Sequence, residues 1–247
     1  MKKSYLMTPG PTPVPSDVLL SMAKPIIHHR TPQFMNIFKE ANDGLKYIFQ
    51  TKNDIFTFTS SGTGAMEASV VNFLSPGDKA IVIQGGKFGE RFSDICRSYG
   101  INSIPIDVRW GEAVNLEKVK EILKKNPDVK AIYSTLCETS TAVLTDINGL
   151  AALIKNTNAI LAVDAISGLG ADELKTDEWG VDLVISGSQK GLMIPPGLAF
   201  LSVSPKAWGL NQVSKCPKFY FNLKDAKKAL DSSDTPWTPA LTLIIGL

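Results

Sequence analysis

Three short segments of the sequence carry residue types that could bind and transform a small charged ligand. The first, residues 59–67, consists largely of serine, threonine, glycine and alanine. Backbone N–H groups at a helix start, together with Ser and Thr hydroxyls, can bind a phosphate without a cationic side chain. The segment lacks the lysine of a P-loop and the glycine spacing of a dinucleotide-binding turn, so nucleotide binding is only weakly indicated. The same residues could also form an ordinary helix cap and tight turn.

The other two segments contribute a carboxylate and an amine. Asp164 follows the apolar run 160–163, and a buried carboxylate needs a cation or an N–H donor unless it merely caps the next turn. Lys190 lies in the small-residue segment 186–191. Partial desolvation there would lower the pKa of the lysine and make its amine a nucleophile toward a carbonyl carbon. The alternative for Lys190 is a solvated loop charge.

Taken together, the three segments match the requirements of pyridoxal phosphate. This cofactor needs a lysine for its Schiff base, a carboxylate at its pyridinium nitrogen and an anion site for its phosphate. Few other ligands need all three.

Short apolar runs alternate with amphipathic stretches along the chain, and this alternation must position the three segments. Strands are predicted at 55–59, 80–84, 101–108, 131–135, 160–163, 183–186 and 198–203, with helices behind Thr31-Pro32 and at 64–73, 89–99, 116–125 and 148–155. The pattern predicts an α/β fold with a mainly parallel sheet and helices on both faces. The last two strands leave no room for a crossover helix, which makes the seven-stranded sheet mixed. Ligands in such sheets bind beyond the carboxyl ends of the strands.

Composition narrows the class of protein. The 247 residues are 44% hydrophobic and 20% charged, with a net charge of +2, which indicates a globular core and gives no electrostatic footprint for nucleic acid or a membrane surface. Three widely spaced cysteines fit a reducing compartment, and two adjacent histidines offer no metal-ligand spacing. No apolar run reaches the length of a membrane span. We therefore expect a cytoplasmic protein without a metal site.

The ordered set of motifs resembles a known family. The motifs are Pro9-Gly10-Pro11-Thr12-Pro13, His29-Arg30-Thr31-Pro32-Gln33-Phe34, Ser61-Gly62-Thr63-Gly64-Ala65-Met66-Glu67, Glu138-Thr139-Ser140-Thr141, Asp164-Ala165-Ile166-Ser167 and Ser186-Gly187-Ser188-Gln189-Lys190. From about Thr8 to the last residue the sequence resembles the class V pyridoxal-phosphate aminotransferases, in particular the serine-pyruvate and alanine-glyoxylate aminotransferase group.

The resemblance implies an organisation into domains. It predicts an N-terminal arm or loop at residues 1–20 and, at 21–247, the cofactor-binding large domain of the pyridoxal-phosphate transferase fold of type I. It further implies a homodimer whose subunits share their active sites. The family's small domain, with the arginine that pairs with the substrate carboxylate, is expected to be absent from these 247 residues. On this expectation the chain binds cofactor but turns substrate over poorly.

The resemblance also assigns roles to individual residues. Lys190 would form the Schiff base and Asp164 would face the pyridine nitrogen. Gly62, Thr63 and Gln189 would hold the phosphate, Phe88 would stack on the cofactor ring, Ile166 would contact its opposite face, Thr139 would approach the pyridine oxygen and Gly10 would bind substrate. Phe88 could instead be a core aromatic that opens a helix. Thr235 and Thr238 are both candidates for reaching the phosphate of the partner subunit.

The reaction implied is a two-step amino transfer from alanine or serine to glyoxylate or pyruvate. A cysteine desulfurase of related fold is a rival, but it would want histidines where this chain has Phe88 and Gln189, and Cys216 is only a remote candidate for its nucleophile. A noncatalytic binding module on the same scaffold is the other alternative. The residues 28–30 could line a shared cleft or cap the following helix.

Overall fold

A mixed, mainly parallel sheet forms the centre of the structure. The computed structural model describes residues 6–247, so the first five residues of the predicted arm lie outside the described part. The strands in this range are β1 (Asp54–Thr59), β2 (Lys79–Gln84), β3 (Asn102–Asp107), β4 (Ala131–Thr135), β5 (Cys137–Glu138), β6 (Val143–Leu144), β7 (Ile160–Asp164), β8 (Leu183–Gly187) and β9 (Leu198–Val203). Within it, seven of them make one sheet in the order β1-β9-β8-β7-β4-β2-β3, and β5 and β6 pair as a separate hairpin.

Strand direction brings the loops of interest to one edge. β9 runs antiparallel to both of its neighbours, β1 and β8, whereas the pairs from β8 through β7, β4 and β2 to β3 are parallel. Consequently β1, although an edge strand, points the same way as β7 and β8. The carboxyl ends of β1, β2, β4, β7 and β8 therefore share one edge of the sheet. The predicted mixed sheet and the antiparallel final pair are confirmed.

Helices cover both faces of the sheet. They are α1 (Ser16–Met22), α2 (Pro32–Phe49), α3 (Gly62–Val71), α4 (Lys87–Ser98), α5 (Leu116–Lys125), α6 (Ile147–Ile154), α7 (Thr176–Trp179), α8 (Pro205–Val213), α9 (Leu223–Leu230) and α10 (Leu241–Gly246). No helix in residues 6–247 combines the length and apolarity needed to cross a membrane.

The core consists of two apolar layers, one on each side of the sheet. Successive residues of a strand point to opposite faces, so in β7 Leu161 and Val163 join the layer beneath α2 and α6, while Ile160 and Ala162 join the layer beneath α3 and α4. Every residue of β7 is buried. A strand buried on both faces is a continuous apolar run, which is why the sequence revealed it.

Two helix starts matter for the site. Thr31 accepts a hydrogen bond from the N–H of Phe34, and Pro32 occupies the first turn of α2, as the sequence predicts. Helix α3 begins at Gly62, two residues before the predicted start. Gly62 and Thr63 therefore belong to the first helical turn, where backbone N–H groups have no partner within the helix.

Candidate active site

The candidate site lies beyond the shared carboxyl edge of the sheet. Five connections meet there: residues 60–63 after β1, 85–88 after β2, 136–141 after β4, 165–167 after β7 and 188–190 after β8. Three of them carry the predicted phosphate cup, aspartate and lysine. The topology thus places the residues selected by the sequence along one edge.

Asp164 ends β7 in a fully enclosed position. Its side chain is 4% exposed, and its Oδ1 accepts a 2.8 Å hydrogen bond from the N–H of Ile166. Burial raises the pKa of this carboxyl from 3.8 to about 6, while the Ile166 hydrogen bond opposes the shift. A carboxylate in such surroundings is stabilised by any cation or N–H donor that reaches it.

Lys190 is half-buried in the turn after β8. Its Nζ donates a 3.1 Å hydrogen bond to the carbonyl oxygen of Pro9. Burial lowers the pKa of Lys190, and the charge of Asp164 opposes this shift. In turn, the charge of Lys190 lowers the pKa of Asp164. The amine and the carboxylate therefore lie within electrostatic reach of each other.

The N-terminal arm is fastened to the lysine loop. The N–H of Thr12 donates to the carbonyl oxygen of Gln189 at 3.0 Å, and the Thr12 hydroxyl donates to the carbonyl oxygen of Lys190 at 3.0 Å. Gly10 has φ +149°, and a Cβ built there would lie 2.7 Å from Lys190 Nζ. A side chain at residue 10 would therefore occupy the space of the amine, and the arm forms one wall of the site.

The phosphate cup of the sequence packs directly on the Asp164 loop. No side chain caps the start of α3, which leaves its first N–H groups free of side-chain partners. A Cβ on Gly62 would lie 2.3 Å from Cδ1 of Ile166, so a side chain at residue 62 would displace the side chain of Ile166. Ile166 itself is buried. The two predicted cofactor contacts, Gly62 and Ile166, thus meet in the structure.

Gln189 offers an unsatisfied polar group beside the lysine. Its side-chain Oε1 is buried without a hydrogen-bond partner among the described residues, and it lies 3.1 Å from the position of a Cβ on Gly187. A buried amide that finds no partner in the protein is costly. The amide can turn either its oxygen or its NH₂ toward a ligand. With the amide turned so that its NH₂ faces the ligand, Gln189 could donate a hydrogen bond to a phosphate oxygen at this point.

Phe88 sits at the start of α4 and is held there by a buried carboxylate. Oε2 of Glu138, a residue 2% exposed, accepts hydrogen bonds from the N–H groups of Phe88 at 3.2 Å and Gly89 at 3.1 Å. Ser140 donates its hydroxyl to Oε1 of the same carboxylate at 2.6 Å. A carboxylate at a helix N-terminus accepts hydrogen bonds from the free N–H groups and is attracted to the positive end of the helix dipole. Glu138 therefore fixes the backbone that carries the Phe88 ring.

Arg91 connects the Phe88 ring to the phosphate cup. Its guanidinium carbon lies 4.7 Å from the centre of the Phe88 ring, and its Nη1 donates a 3.1 Å hydrogen bond to Oγ1 of Thr63. Its charge also lowers the pKa of Asp164. Arg91 thus contacts two predicted site residues, Phe88 and Thr63, and acts electrostatically on a third, Asp164.

Thr139 lies in the same region, with its hydroxyl engaged. It is hydrogen-bonded to the hydroxyl of Ser167 in the loop after β7. Ser167 also donates a 3.4 Å hydrogen bond to the carbonyl oxygen of Cys137. The Thr139 hydroxyl is therefore aimed at the loop that carries Asp164 and Ile166.

Thr235 and Thr238, the two candidates for the contact with the partner's phosphate, differ in exposure. Thr235 is 5% exposed, and its hydroxyl donates a 2.8 Å hydrogen bond to the carbonyl oxygen of Trp237. Thr238 is exposed. Arg30 forms an ion pair with Asp234 and donates a 3.0 Å hydrogen bond to the carbonyl oxygen of Thr235. The cap of α2 is Thr31, so Arg30 anchors this segment instead of capping the helix.

The cysteine thiols among the described residues are poorly suited to act as nucleophiles. Cys96 and Cys216 are buried and Cys137 is half-buried, all as free thiols. Burial raises the pKa of Cys96 to about 12 and raises the pKa of Cys216 as well. Raised pKa values keep these thiols protonated and poorly nucleophilic. In residues 6–247, no three His, Cys, Asp or Glu side chains gather into a metal-binding group.

Sequence reasoning assigned no role to three residues that organise the site: Glu138, Arg91 and Arg30. Arg91 follows Phe88 by three positions on one helix, a spacing that places side chains side by side and could have drawn attention to it. Glu138 ends a buried segment within a quoted motif, and a buried carboxylate always needs partners. For Arg30, no local pattern indicates a partner about 200 residues away.

The residues present fit pyridoxal phosphate. The arrangement combines a half-buried lysine amine, a buried carboxylate in its electrostatic reach, an uncapped helix start and an amide with an orphaned oxygen. Lys190 would hold the aldehyde carbon, Asp164 the ring nitrogen, and Gly62, Thr63 and Gln189 the phosphate.

Comparisons with known proteins agree with this architecture. The sequence pattern described as Aminotransferase class-V matches residues 4–216. The chain is 45% identical over 249 residues to the "Soluble hydrogenase, small subunit" of a Synechococcus species, covering 99% of this chain and 65% of that protein. It is 37% identical to the serine–glyoxylate aminotransferase of Hyphomicrobium methylovorum, covering 98% of this chain and 62% of the relative.

A solved structure extends the likeness to three dimensions. The alanine–glyoxylate aminotransferase of a Nostoc species superposes with a TM-score of 0.93 at 29% identity, over all of this chain and 67% of that one. The sheet described above is thus the one found in pyridoxal-phosphate transferases of fold type I. The chain spans about 65% of the length of the curated relatives it matches. From the matched pattern and this level of identity, the chain belongs to the class V aminotransferase family.

Proposed function

We propose that this chain forms the cofactor-binding part of a pyridoxal-phosphate-dependent aminotransferase. It would move an amino group between a small amino acid, alanine or serine, and a small 2-oxo acid, glyoxylate or pyruvate. The observation that carries the proposal is that Asp164 ends β7 and Lys190 follows the adjacent parallel strand β8, which brings the carboxylate and the amine to the same edge of the sheet.

When bound, the cofactor supplies a carbonyl carbon that carries the amino group and a pyridine ring that withdraws electrons from the substrate α-carbon. The protein must then hold that ring, keep its nitrogen protonated and move one proton. These three tasks fall to different residues of the site.

Asp164 has the task of holding the proton at the ring nitrogen. One of its oxygens, Oδ1, already accepts the N–H of Ile166, so Oδ2 is the oxygen that would accept the ring N–H. Since burial raises the pKa of the free carboxyl to about 6, Asp164 is ionised near neutral pH. Its ionised form would be strengthened further by the protonated ring beside it.

Lys190 would act first as the covalent anchor and then as the base. Once a substrate amine had displaced it, Nζ of Lys190 would accept the proton from the substrate α-carbon and would pass it to the carbon that had carried the cofactor's aldehyde. Burial lowers the pKa of this amine, which increases the neutral, proton-accepting fraction at a given pH. The carbonyl oxygen of Pro9, 3.1 Å away, would orient the released amine.

Phe88, Ile166 and Thr139 would hold the ring in place. A flat aromatic ring on one face and an aliphatic side chain on the other bury a flat heterocycle without forming bonds to it. Thr139, whose hydroxyl is hydrogen-bonded to Ser167, would approach the pyridine oxygen. Gly10 lies against Lys190, so the arm around it would contact the substrate.

The organisation of the whole assembly is part of the proposal. Residues 21–247 would form the large domain, with residues 1–20 as its arm. Thr238 would reach the phosphate of the partner subunit in a homodimer, because its side chain is exposed whereas the hydroxyl of Thr235 is engaged within its own chain. Arg30 would fasten that segment through Asp234.

The choice of substrates rests on the named relatives. The Hyphomicrobium and Nostoc proteins are both named as glyoxylate aminotransferases, one with serine and one with alanine as donor. Their common acceptor supports glyoxylate for this chain.

A noncatalytic role is the second candidate. It is favoured by one observation, the 45% identity to a protein named as a hydrogenase subunit. A protein kept only as an assembly partner has no need of an amine, a buried acid and an uncapped helix start at one point. A desulfurase is disfavoured because burial raises the pKa of Cys216.

A half-reaction tests the proposed function. The 247-residue chain is incubated with pyridoxal phosphate, freed of excess and mixed with alanine, serine or aspartate. We expect the visible absorbance of the bound cofactor to fall with alanine or serine and to return with glyoxylate, while 2-oxo acid is released in equal amount. A bound cofactor whose spectrum responds to no amino acid would support the assembly-partner role, and a response to aspartate alone would correct the donor.

A further inference from the structure

Arg91 has no role yet in a cofactor site built from Lys190, Asp164 and the phosphate cup. It is half-buried on α4, one turn beyond Phe88. Its guanidinium contacts the Phe88 ring, and its Nη1 donates to the hydroxyl of Thr63 on the first turn of α3. One side chain therefore joins the starts of two helices that border the site.

We propose that Arg91 is a positioning residue of this site that holds the Phe88 ring and the Thr63 hydroxyl in register and gives the phosphate cup its positive charge. The proposal rests on the proposed function, since it concerns the same cofactor.

The phosphate cup has little positive charge of its own. Residues 60–64 contain no cationic side chain, and a helix N-terminus contributes only about half an elementary charge. A phosphate ester carries up to about two negative charges near neutral pH. Arg91 reaches the cup through Thr63, at 3.1 Å. A guanidinium one hydroxyl away strengthens the donor that the hydroxyl presents to an anion.

The second contact of Arg91 is with the Phe88 ring. A cation within about 6 Å of an aromatic centroid is attracted to the ring face, and here the distance is 4.7 Å. With one face of Phe88 covered by Arg91, only the opposite face is available to a flat ligand. The Glu138 carboxylate fixes the backbone of Phe88, and Arg91 fixes the orientation of its ring.

The electrostatic surroundings place Arg91 on the site's side of its helix. Its charge lowers the pKa of Asp164, as that of Lys190 does, and Glu138 acts in the opposite direction. By contrast Arg97, nearly two turns further along α4, forms an ion pair with Asp94 and has a side chain 77% exposed. Both arginines lie on α4 and carry the same charge, but only Arg91 contacts the site. Arg97 is therefore a matched control.

The test compares two probes, pyridoxal phosphate and pyridoxal, on the 247-residue chain. We expect Arg91→Gln to weaken binding of pyridoxal phosphate roughly 10- to 100-fold, as for the loss of a charged hydrogen-bonding group. Binding of pyridoxal, which has no phosphate, should fall much less. Arg91→Lys should restore most of the preference for the phosphate but not the circular dichroism of the bound ring, because an ammonium lacks the planar guanidinium. Arg97→Gln should change neither.

A double-mutant cycle with Thr63→Val guards against a folding defect. If Arg91 acts through Thr63, Arg91→Gln should cost less affinity in the Thr63→Val background than in the wild type. Equal weakening of both probes, together with a lower melting temperature, would overturn the inference and leave Arg91 a packing residue. Unchanged affinity in Arg91→Gln would overturn it as well. If the wild-type chain binds pyridoxal phosphate with no preference over pyridoxal, the inference alone falls, and if it binds neither, the proposed function falls with it.

Discussion

Nζ of Lys190 donates a hydrogen bond to the carbonyl oxygen of Pro9 at 3.1 Å, joining residues 181 positions apart. The contact makes the N-terminal arm a part of the site. It also explains the glycine that follows Pro9, because a Cβ on Gly10 would lie 2.5 to 2.8 Å from Cδ, Nζ and Cε of the lysine.

Gly10→Ala should therefore damage cofactor binding as well as folding. Alanine at φ +149° strains the backbone, and its Cβ collides with the flexible end of Lys190, which displaces the amine. We expect affinity for pyridoxal phosphate to fall roughly 10-fold, the consequence of about 1 to 2 kcal/mol of overpacking. The measurement is an absorbance titration.

Gly111→Ala is the control for that substitution. Gly111 also has a positive φ, +91°, but nothing lies within 4 Å of its Cβ position. It should lose about 1 kcal/mol of stability and keep wild-type affinity. Equal affinities in both variants would show that the arm does not contact the site.

Asp164→Asn should stabilise the cofactor-free chain at neutral pH. Burial raises the pKa of the folded carboxyl from 3.8 to about 6, so between these pH values the folded chain binds more protons than the unfolded chain. Its stability therefore falls as the pH rises through this window. The asparagine variant has no such titration. Between pH 4 and pH 7 its free energy of unfolding should therefore rise by about 2 to 3 kcal/mol relative to that of the wild type. Urea unfolding at several pH values measures the difference.

The same substitution should weaken the cofactor's hold on the site, since an amide cannot pair with a protonated ring nitrogen as a carboxylate does. Higher stability with lower affinity is the signature of a residue kept for function. A variant that is less stable than wild type at every pH would contradict the account of Asp164.

Glu138→Gln should disturb the cofactor through Phe88. The substitution removes the negative charge that receives the N–H groups of Phe88 and Gly89, at a cost of about 1 to 2 kcal/mol. Asp146→Ala removes a comparable cap, the 2.8 Å bond from the N–H of Gly149 on α6. Both variants should melt earlier, but only Glu138→Gln should alter the visible circular dichroism of the bound cofactor. Identical spectra in the two variants would assign Glu138 a structural role alone.

Thr235→Val and Thr238→Val should separate the two candidates for the shared phosphate contact. Thr235→Val removes the buried hydrogen bond to Trp237 and should cost about 1 kcal/mol of stability. Thr238→Val alters an exposed side chain and should leave stability within about 0.5 kcal/mol while lowering cofactor affinity about 10-fold. The larger loss of affinity in Thr235→Val would reverse the assignment.

The sheet could be predicted from the sequence because its strands are buried on both faces. In β4, β7 and β8 all five residues are buried, and each strand opens with at least three consecutive apolar residues before its polar or small end. The short gap between β8 and β9 also predicted the change of direction correctly. Helices α8 and α9 were not predicted, and their few buried positions, such as Ala207, Leu223 and Ala226, give a weaker pattern.

The site itself was predictable only where its residues follow strand ends. Asp164 and Lys190 are local features of their segments, whereas the partners of Arg91, Glu138 and Arg30 are 28, 50 and 204 positions away. Side-chain contacts between distant segments depend on the register of the sheet, which no local pattern contains.

The most direct test of the central claim is to reduce the complex with borohydride and locate the label. After incubation with pyridoxal phosphate and borohydride, digestion and mass spectrometry should find the phosphopyridoxyl group on Lys190, and Asp164→Asn should reduce the yield. Labelling spread over exposed lysines such as Lys39 and Lys87, with none at Lys190, would contradict the account.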